Sequence, residues 1–297
     1  MWFCVKLAPD REAAIHARTI AWVQSSLLAC LLAVPGRAEA AELKPETVQA
    51  FDRYVRLTEH RMHKELQPGA AFLWVDGLPE ARRNSVYAQL QHGEVVTGRL
   101  ETLDYPENLH PPGAMIHHWI GTVFIPGASL EQVLTLLKDY DHHTRYFSPE
   151  VVKSKALEHT GDDFKVYLRL RRKKIVTVVL DTEYNVHYEP VDATRAESRS
   201  YSTRITEIEH PGESGERQLP PGDDHGFLWR LNSYWRFFET GHGVYVQCEA
   251  ISLTRDIPAG LHWLIAPFIE SIPKESLEFT LRSTRDAVAG ESSHGSK

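Results

Sequence analysis

The sequence predicts an α+β fold in which a long antiparallel sheet carries its helices segregated to one face. Three observations lead there. An amphipathic helix pattern lies near residues 128–140, alternating strand patterns run from about 150 to 256, and an apolar helix pattern from about 258 to 289 closes the chain. Many strands between two helices imply antiparallel pairing. If the sheet curves around the last helix, the two enclose a pocket. That pocket is the best clue to function, because no catalytic motif competes with it.

Each element has a local reason. A strand is expected over 116–125, ended by Pro126-Gly127, and Ser129 is the natural N-cap of the next helix. Leu130, Val133, Leu134 and Leu137 form that helix's apolar stripe, and a polar, aromatic connection follows over 140–149. After a strand over 151–159, Phe164, Val166, Leu168 and Leu170 alternate with Lys165, Tyr167 and Arg169. Arg171–Lys174 form a basic hairpin tip, of a kind that discourages edge pairing. Strands then run to about Tyr188 and from 194 to 209, and a loop rich in Pro, Gly and acids covers 210–224.

The last hairpin alternates Phe227, Trp229, Leu231, Ser233, Trp235 and Phe237 against Leu228, Arg230, Asn232, Tyr234, Arg236 and Phe238. Thr240-Gly241-His242-Gly243 turns it, and Val244, Val246, Cys248 and Ala250 return on the inward side. The polar alternates Arg230, Tyr234, Arg236, Gln247 and Glu249 are expected to face solvent and pair across the hairpin. The closing helix carries Leu261, Leu264, Ile265, Phe268, Ile269 and Ile272, with a kink or restart expected at Pro273.

Upstream, helices are expected over 45–66 (Val48, Phe51, Val55, Met62) and 79–91 (Val86, Leu90), then a strand over 94–103. A Pro- and Gly-rich stretch, 104–113, marks a boundary. The expected organisation is therefore a signal peptide over 1–40, a helical extension and linker over 41–113, the main domain over 114–290, and a disordered tail over 291–297. The extension is too small for a comfortable core of its own, so it is expected to pack on the main domain.

The first 40 residues follow a secretory pattern: weakly positive start, an apolar stretch through Leu27–Val34, a break at Pro35-Gly36, and Ala38-Glu39-Ala40 as cleavage site. A periplasmic or secreted location follows. Lipoprotein processing at Cys30, after Leu27-Leu28-Ala29, competes but leaves a short apolar core. The 297 residues have net charge −7 and 25% charged residues, giving no basic excess for nucleic acid or an anionic membrane as main partner. Cys248 is the one cysteine beyond the signal segment, and its strand spacing suits a small buried hydrophobe.

The segments Ile125-Pro126-Gly127-Ala128, Asp139-Tyr140-Asp141-His142 and Phe147-Ser148-Pro149-Glu150-Val151-Val152, with the Trp-rich hairpin and final helix, resemble the START-like, polyketide-cyclase and coenzyme-Q-binding superfamily. The resemblance covers about residues 116–289. It implies a helix-grip fold: a curved antiparallel sheet around a long C-terminal helix, with a deep pocket between them. Members bind sterols, phospholipids, quinones, polyketides or plant hormones there, and only some are enzymes.

Pocket-lining candidates are Phe164, Val166, Leu168, Trp229, Leu231, Trp235, Phe237, Val246, Cys248, Leu264 and Phe268. Each alone is more simply core, since burial is worth about 1.5–3 kcal/mol apiece. As a set they suit a ligand cavity. Adjacent histidines at His117-His118 point to opposite faces of a strand, and no two-anchor ligand spacing is present, so neither a metal nor a cofactor is expected. The expected function is exported, non-catalytic binding or carriage of a hydrophobic small molecule such as a lipid, quinone or isoprenoid, with transient membrane contact. A cyclase- or hydrolase-like enzyme using the same pocket, and an envelope assembly factor docking through 41–113, are the alternatives.

Overall fold

The computed structural model describes residues 43–104, 109–174, 176–257 and 262–294, without the side chains of 262–270 and 291–294. The expected signal segment, with Cys30 and Ala40, lies outside the described residues, as do the side chains of Leu264 and Phe268.

The elements in order are α1 (Pro45–Glu65), a 3₁₀ turn at Trp74–Gly77, α2 (Glu80–Gln91), β1 (Val96–Arg99), β2 (Ala114–Pro126) and α3 (Leu130–Lys138). A 3₁₀ turn at Tyr140–His142 and α4 (His143–Tyr146) fill the polar connection. Then come β3 (Val151–Thr160), β4 (Asp163–Lys173), β5 (Thr177–Pro190), β6 (Arg195–Glu209), β7 (Arg217–Gln218), β8 (Arg230–Thr240), β9 (Gly243–Arg255) and α5 (His262–His294). The sheet order is β1-β2-β9-β8-β6-β5-β4-β3, antiparallel throughout, and β7 pairs with β6.

The local signals act as expected at α3. The Ser129 hydroxyl accepts from Gln132 N–H at 3.2 Å, and the Gln132 side chain accepts from Ser129 N–H at 2.9 Å, a reciprocal cap. The β8–β9 turn depends on Gly243, at φ 143°, where a Cβ would lie 2.2 Å from the Ile125 carbonyl oxygen. Helix α5 runs through Pro273 without the expected restart and continues past Gly290 to His294.

One face of the curved sheet takes α3 and α5. Val123, Ile125, Phe237, Val244, Val246 and Cys248 meet Val133, Leu136, Leu137, Leu277, Leu281 and Val288 in one cluster. Close approach is built in at Gly121, where a Cβ would stand 2.6 Å from Leu281 Cδ1 and 3.3 Å from Leu277 Cδ2.

The opposite face is closed by the N-terminal segment. Phe51, Tyr54, Val55 and Met62 of α1 pack on Tyr234, Ile251 and Leu253. Phe72, Leu73 and Val75, with Val86 and Leu90 of α2, pack on Phe124 and Tyr245. β1 extends the sheet beyond β2. The two helices that bracket the strands, α3 and α5, share one face as expected, and the N-terminal extension puts α1 and α2 on the other.

This cover overturns the solvent-facing expectation for the hairpin's polar alternates. Arg236, Gln247 and Glu249 point away from α5 as the alternation requires, but they are only 6%, 2% and 3% exposed. Tyr234 is buried beside them. Alternation gives the face correctly. The covering layer is supplied from about 170 residues upstream, beyond the reach of any local pattern.

A buried histidine under α3 has a measurable consequence. His143 lies against Tyr140 and Phe147, and its Nε2–H donates to the Leu137 carbonyl at 3.0 Å. Burial pushes its pKa down to about 4, despite the Leu137 bond and the Asp139 charge. The unfolded chain binds this proton near pH 6.5 and the folded chain only near 4. Stability from this site is therefore whole above pH 6.5 and drains as pH falls to 4, by up to about 3 kcal/mol. His143→Gln, which keeps the donor, is expected to flatten that limb of a urea-unfolding series between pH 7 and 4.

Candidate functional site, the cleft between sheet and closing helix

The face toward α5 is not uniformly filled. In β8 the inward positions Leu231, Ser233 and Trp235 are only half-buried, while the outward Asn232, Tyr234 and Arg236 between them are buried. In β9, Ala250 is the single half-buried position between Gly243 and Thr254. In β2, Trp119 is the single one between His117 and Ile125. Over residues 231–236 of this central strand only the side that faces the helix is partly open, which marks a gap between the two layers.

The strand registers place these positions on one line. Trp119 pairs with Ala250, Ala250 with Ser233, Ser233 with Ser200, Ser200 with Val186 and Val186 with Phe164. The middle of this row is Ala, Ser and Ser, and its ends are Trp and Phe. Small side chains between large ones make a trough across β9, β8 and β6. Its walls are Trp235 and Leu231 within β8, with Leu168 and Leu170 from β4, all half-buried.

The far wall is held by hydroxyl contacts. Tyr140 and Tyr188 share a hydrogen bond at 2.8 Å in a cluster with Phe164, Val166, Tyr184 and Val186. Burial pushes Tyr184 and Tyr188 up to about 12, so both stay protonated at neutral pH. At one end of the trough the hairpin β4–β5 is tied to α5. Lys174 donates to Glu275 Oε1 at 2.5 Å and to Ser271 at 2.6 Å, and Arg172 donates to Glu275 Oε2 at 2.9 Å and pairs with Glu150. Arg172 and Lys174 of the basic tip thus fasten sheet to helix, while Arg171 and Lys173 stay exposed.

The sequence candidates divide accordingly. Leu168, Leu231 and Trp235 line the trough. Phe164 and Val166 are buried in its far wall. Phe237, Val246 and Cys248 are fully packed under α3 and α5 rather than open to the gap. Burial pushes the Cys248 thiol well up, which suits an inert core residue. Trp229 is misplaced by the sequence reading. It precedes β8, follows the turn at Gly226, donates from Nε1 to Asp224 at 3.1 Å, and joins the cluster beneath α1. Trp119, Ser200, Ser233 and Ala250 were missed. The alternating Ser198, Ser200 and Ser202 were the available signal, a strand face without large side chains.

Away from this trough, the structure concentrates charge. Glu249 accepts from His118 Nε2 at 2.6 Å and pairs with Arg61. The Tyr54 hydroxyl bonds His118 Nδ1 at 2.8 Å and accepts from Thr102 N–H at 2.9 Å, so this chain of bonds selects the His118 tautomer protonated on Nε2. Burial alone would raise the Glu249 carboxyl, but the His118 bond and the Arg61 charge outweigh it and hold it below its usual value. His117, on the neighbouring residue, turns to the other face and meets Thr254 Oγ1 at 3.0 Å. A crevice of about 20 Å³ by Glu59, Arg199 and Tyr234 has room for a single water. A surface groove of about 500 Å³ beside α1 is walled mainly by Glu46, Asp52, Arg53, Arg56 and His110, which is poor chemistry for an apolar ligand.

A curved antiparallel sheet holding one long C-terminal helix across one face defines the architecture. This is a helix-grip fold. No family model matches the sequence, and no curated protein matches it. Solved structures similar to it are START-domain and polyketide aromatase/cyclase proteins. One is a STAR-related lipid transfer protein fragment from Xanthomonas axonopodis, 20% identical over 64% of this chain and 98% of that one, TM-score 0.41. Human STARD10 is 10% identical over 77% of this chain and 87% of its own, TM-score 0.41. The Zhui aromatase/cyclase from Streptomyces sp. R1128 is 15% identical over 62% and 97%, TM-score 0.39.

Proposed function

We propose that this protein is an exported binder or carrier of a hydrophobic small molecule, such as a lipid, quinone or isoprenoid. The ligand lies in the trough between the sheet and α5, and no bond is made or broken there. The observation that carries the reading is the half-buried inward row of β8, Leu231, Ser233 and Trp235, alternating with the buried outward Asn232, Tyr234 and Arg236. Apolar walls with a few hydroxyls are the usual lining of such a site. The enzyme alternative needs a general acid or base within reach of the ligand. Among the described inward positions of the trough row the polar groups are serines, and the nearby His117 is buried on Thr254.

Protein purified from its own host should carry a copurifying apolar molecule detectable by native mass spectrometry, or take one up from vesicles. Neither occurring would overturn the proposal. Export is tested separately, by fractionating cells and sequencing the mature N-terminus, which is expected just after Ala40.

A further inference from the structure

The floor of the trough holds hydroxyls that no protein group among the described residues bonds. Ser200 and Ser233 are direct partners across β6 and β8, both half-buried. Neither hydroxyl has a hydrogen-bond partner among the described residues. Cross-strand partners on one face hold their Cβ atoms about 4.5–5.5 Å apart, so one ligand oxygen between them can meet both hydroxyls. The neighbouring Ser202 hydroxyl is already engaged, accepting from Leu231 N–H at 2.9 Å.

Charge is kept from this floor. Between Trp119 and Phe164 the transverse row is Ala250, Ser233, Ser200 and Val186, with no ionisable group. The adjacent row from Gly121 holds Cys248, Trp235, Ser198 and Tyr188. Among the described side chains of α5, those buried against the sheet side are Leu277, Leu281, Thr284 and Val288. In the other flanking row the inward His117 meets Thr254 at 3.0 Å, and the described charged inward groups stand at the trough's ends and are already committed. Arg172 pairs with Glu150 and Glu275, and Glu239 accepts from Leu130 N–H at 2.8 Å.

Resting on the ligand-binding reading above, we infer that the ligand is an uncharged amphiphile whose hydroxyl or carbonyl oxygen bonds the Ser200–Ser233 pair, with its hydrocarbon along Trp235, Leu231 and Leu168. A carboxylate or phosphate at the same place loses its water and gains no counter-charge, which disfavours it strongly. A plain hydrocarbon fits the walls and leaves the two hydroxyls unbonded.

The test compares three probes of one chain length, hexadecanol, palmitate and hexadecane, offered at pH 8 from phosphatidylcholine vesicles and quantified on the full chain by native mass spectrometry. Hexadecanol is expected to bind at least about 10-fold tighter than palmitate. The double variant Ser200→Ala/Ser233→Ala should lower hexadecanol affinity by about 10-fold and leave hexadecane unchanged. Ser233→Thr, which keeps a hydroxyl, should retain the preference and shows that the site tolerates substitution. Palmitate binding as tightly as hexadecanol, or all three probes weakening together in the double variant, would overturn the inference and leave ligand binding standing. If none of the three binds, the ligand-binding reading itself fails.

Discussion

Arg236→Met is expected to cost about 3–5 kcal/mol of stability, the range for removing one partner of a buried ion pair. Arg236 is 6% exposed, and its guanidinium donates to Glu65 at 2.7 Å, the Phe72 carbonyl at 2.8 Å and the Met62 carbonyl at 3.0 Å. Its guanidinium also stands over the Phe72 ring at 5.6 Å. Methionine fills much of the volume but returns none of these bonds, so two backbone carbonyls lose a donor under the cover and the partly exposed Glu65 keeps only Arg61 among the described residues. Urea unfolding should show the loss, and hydrogen exchange should locate it in α1 and the segment after it. A change below about 1 kcal/mol would mean that this contact is no better than an exposed pair.

The same interface should loosen in acid. Glu249 is held below its ordinary pKa in the fold, so its contribution is present above the unfolded value near 4.5 and is lost as pH falls through the depressed folded value. Deleting the N-terminal segment is a poor experiment for the same reason. It would leave Arg236, Glu249 and the apolar patch at Tyr234, Ile251 and Leu253 uncovered.

Ala250→Trp is expected to abolish ligand uptake, by about 100-fold or more, which equals about 2.8 kcal/mol. Ala250 is the smallest side chain on the trough floor and sits between Trp119 and Ser233. An indole there occupies the space the ligand needs. The position is half-buried because the gap is there, so the larger side chain has somewhere to go. The fold should therefore survive, with a near-native circular dichroism spectrum. The exposed Phe227→Trp is the matched control and should leave uptake unchanged. Uptake persisting in Ala250→Trp would place the ligand elsewhere.

Much of the fold was legible in the sequence because alternation, turn glycines and the Ser129 cap are local. The strand runs, the β8–β9 hairpin and α3 follow from them directly. Two things were not legible. The outward charges of β8 and β9 look solvated in sequence, since Arg236 and Glu249 find their partners on a helix whose own charges, Arg61 and Glu65, also look solvated. Which surfaces meet is a tertiary fact that neither pattern carries. The trough was likewise hidden, because Ala250, Ser233 and Ser200 become neighbours only when the register across three strands is known. Trp229 failed for a different reason: the turn at Gly226, φ 72°, precedes it, so the strand's parity does not extend back to it.

The central claim is that a ligand lies on the α5 side of the sheet and not beneath α1. Four described tryptophans divide between the two sides: Trp119 and Trp235 at the trough, Trp74 and Trp229 in the clusters under the N-terminal segment. Quenching of intrinsic fluorescence by a bromine-labelled alkyl alcohol measures which of them the ligand touches. Trp235→Phe is predicted to remove a large part of the quenching, and Trp229→Phe to leave it intact. Quenching lost with Trp229 and retained without Trp235 would contradict the account.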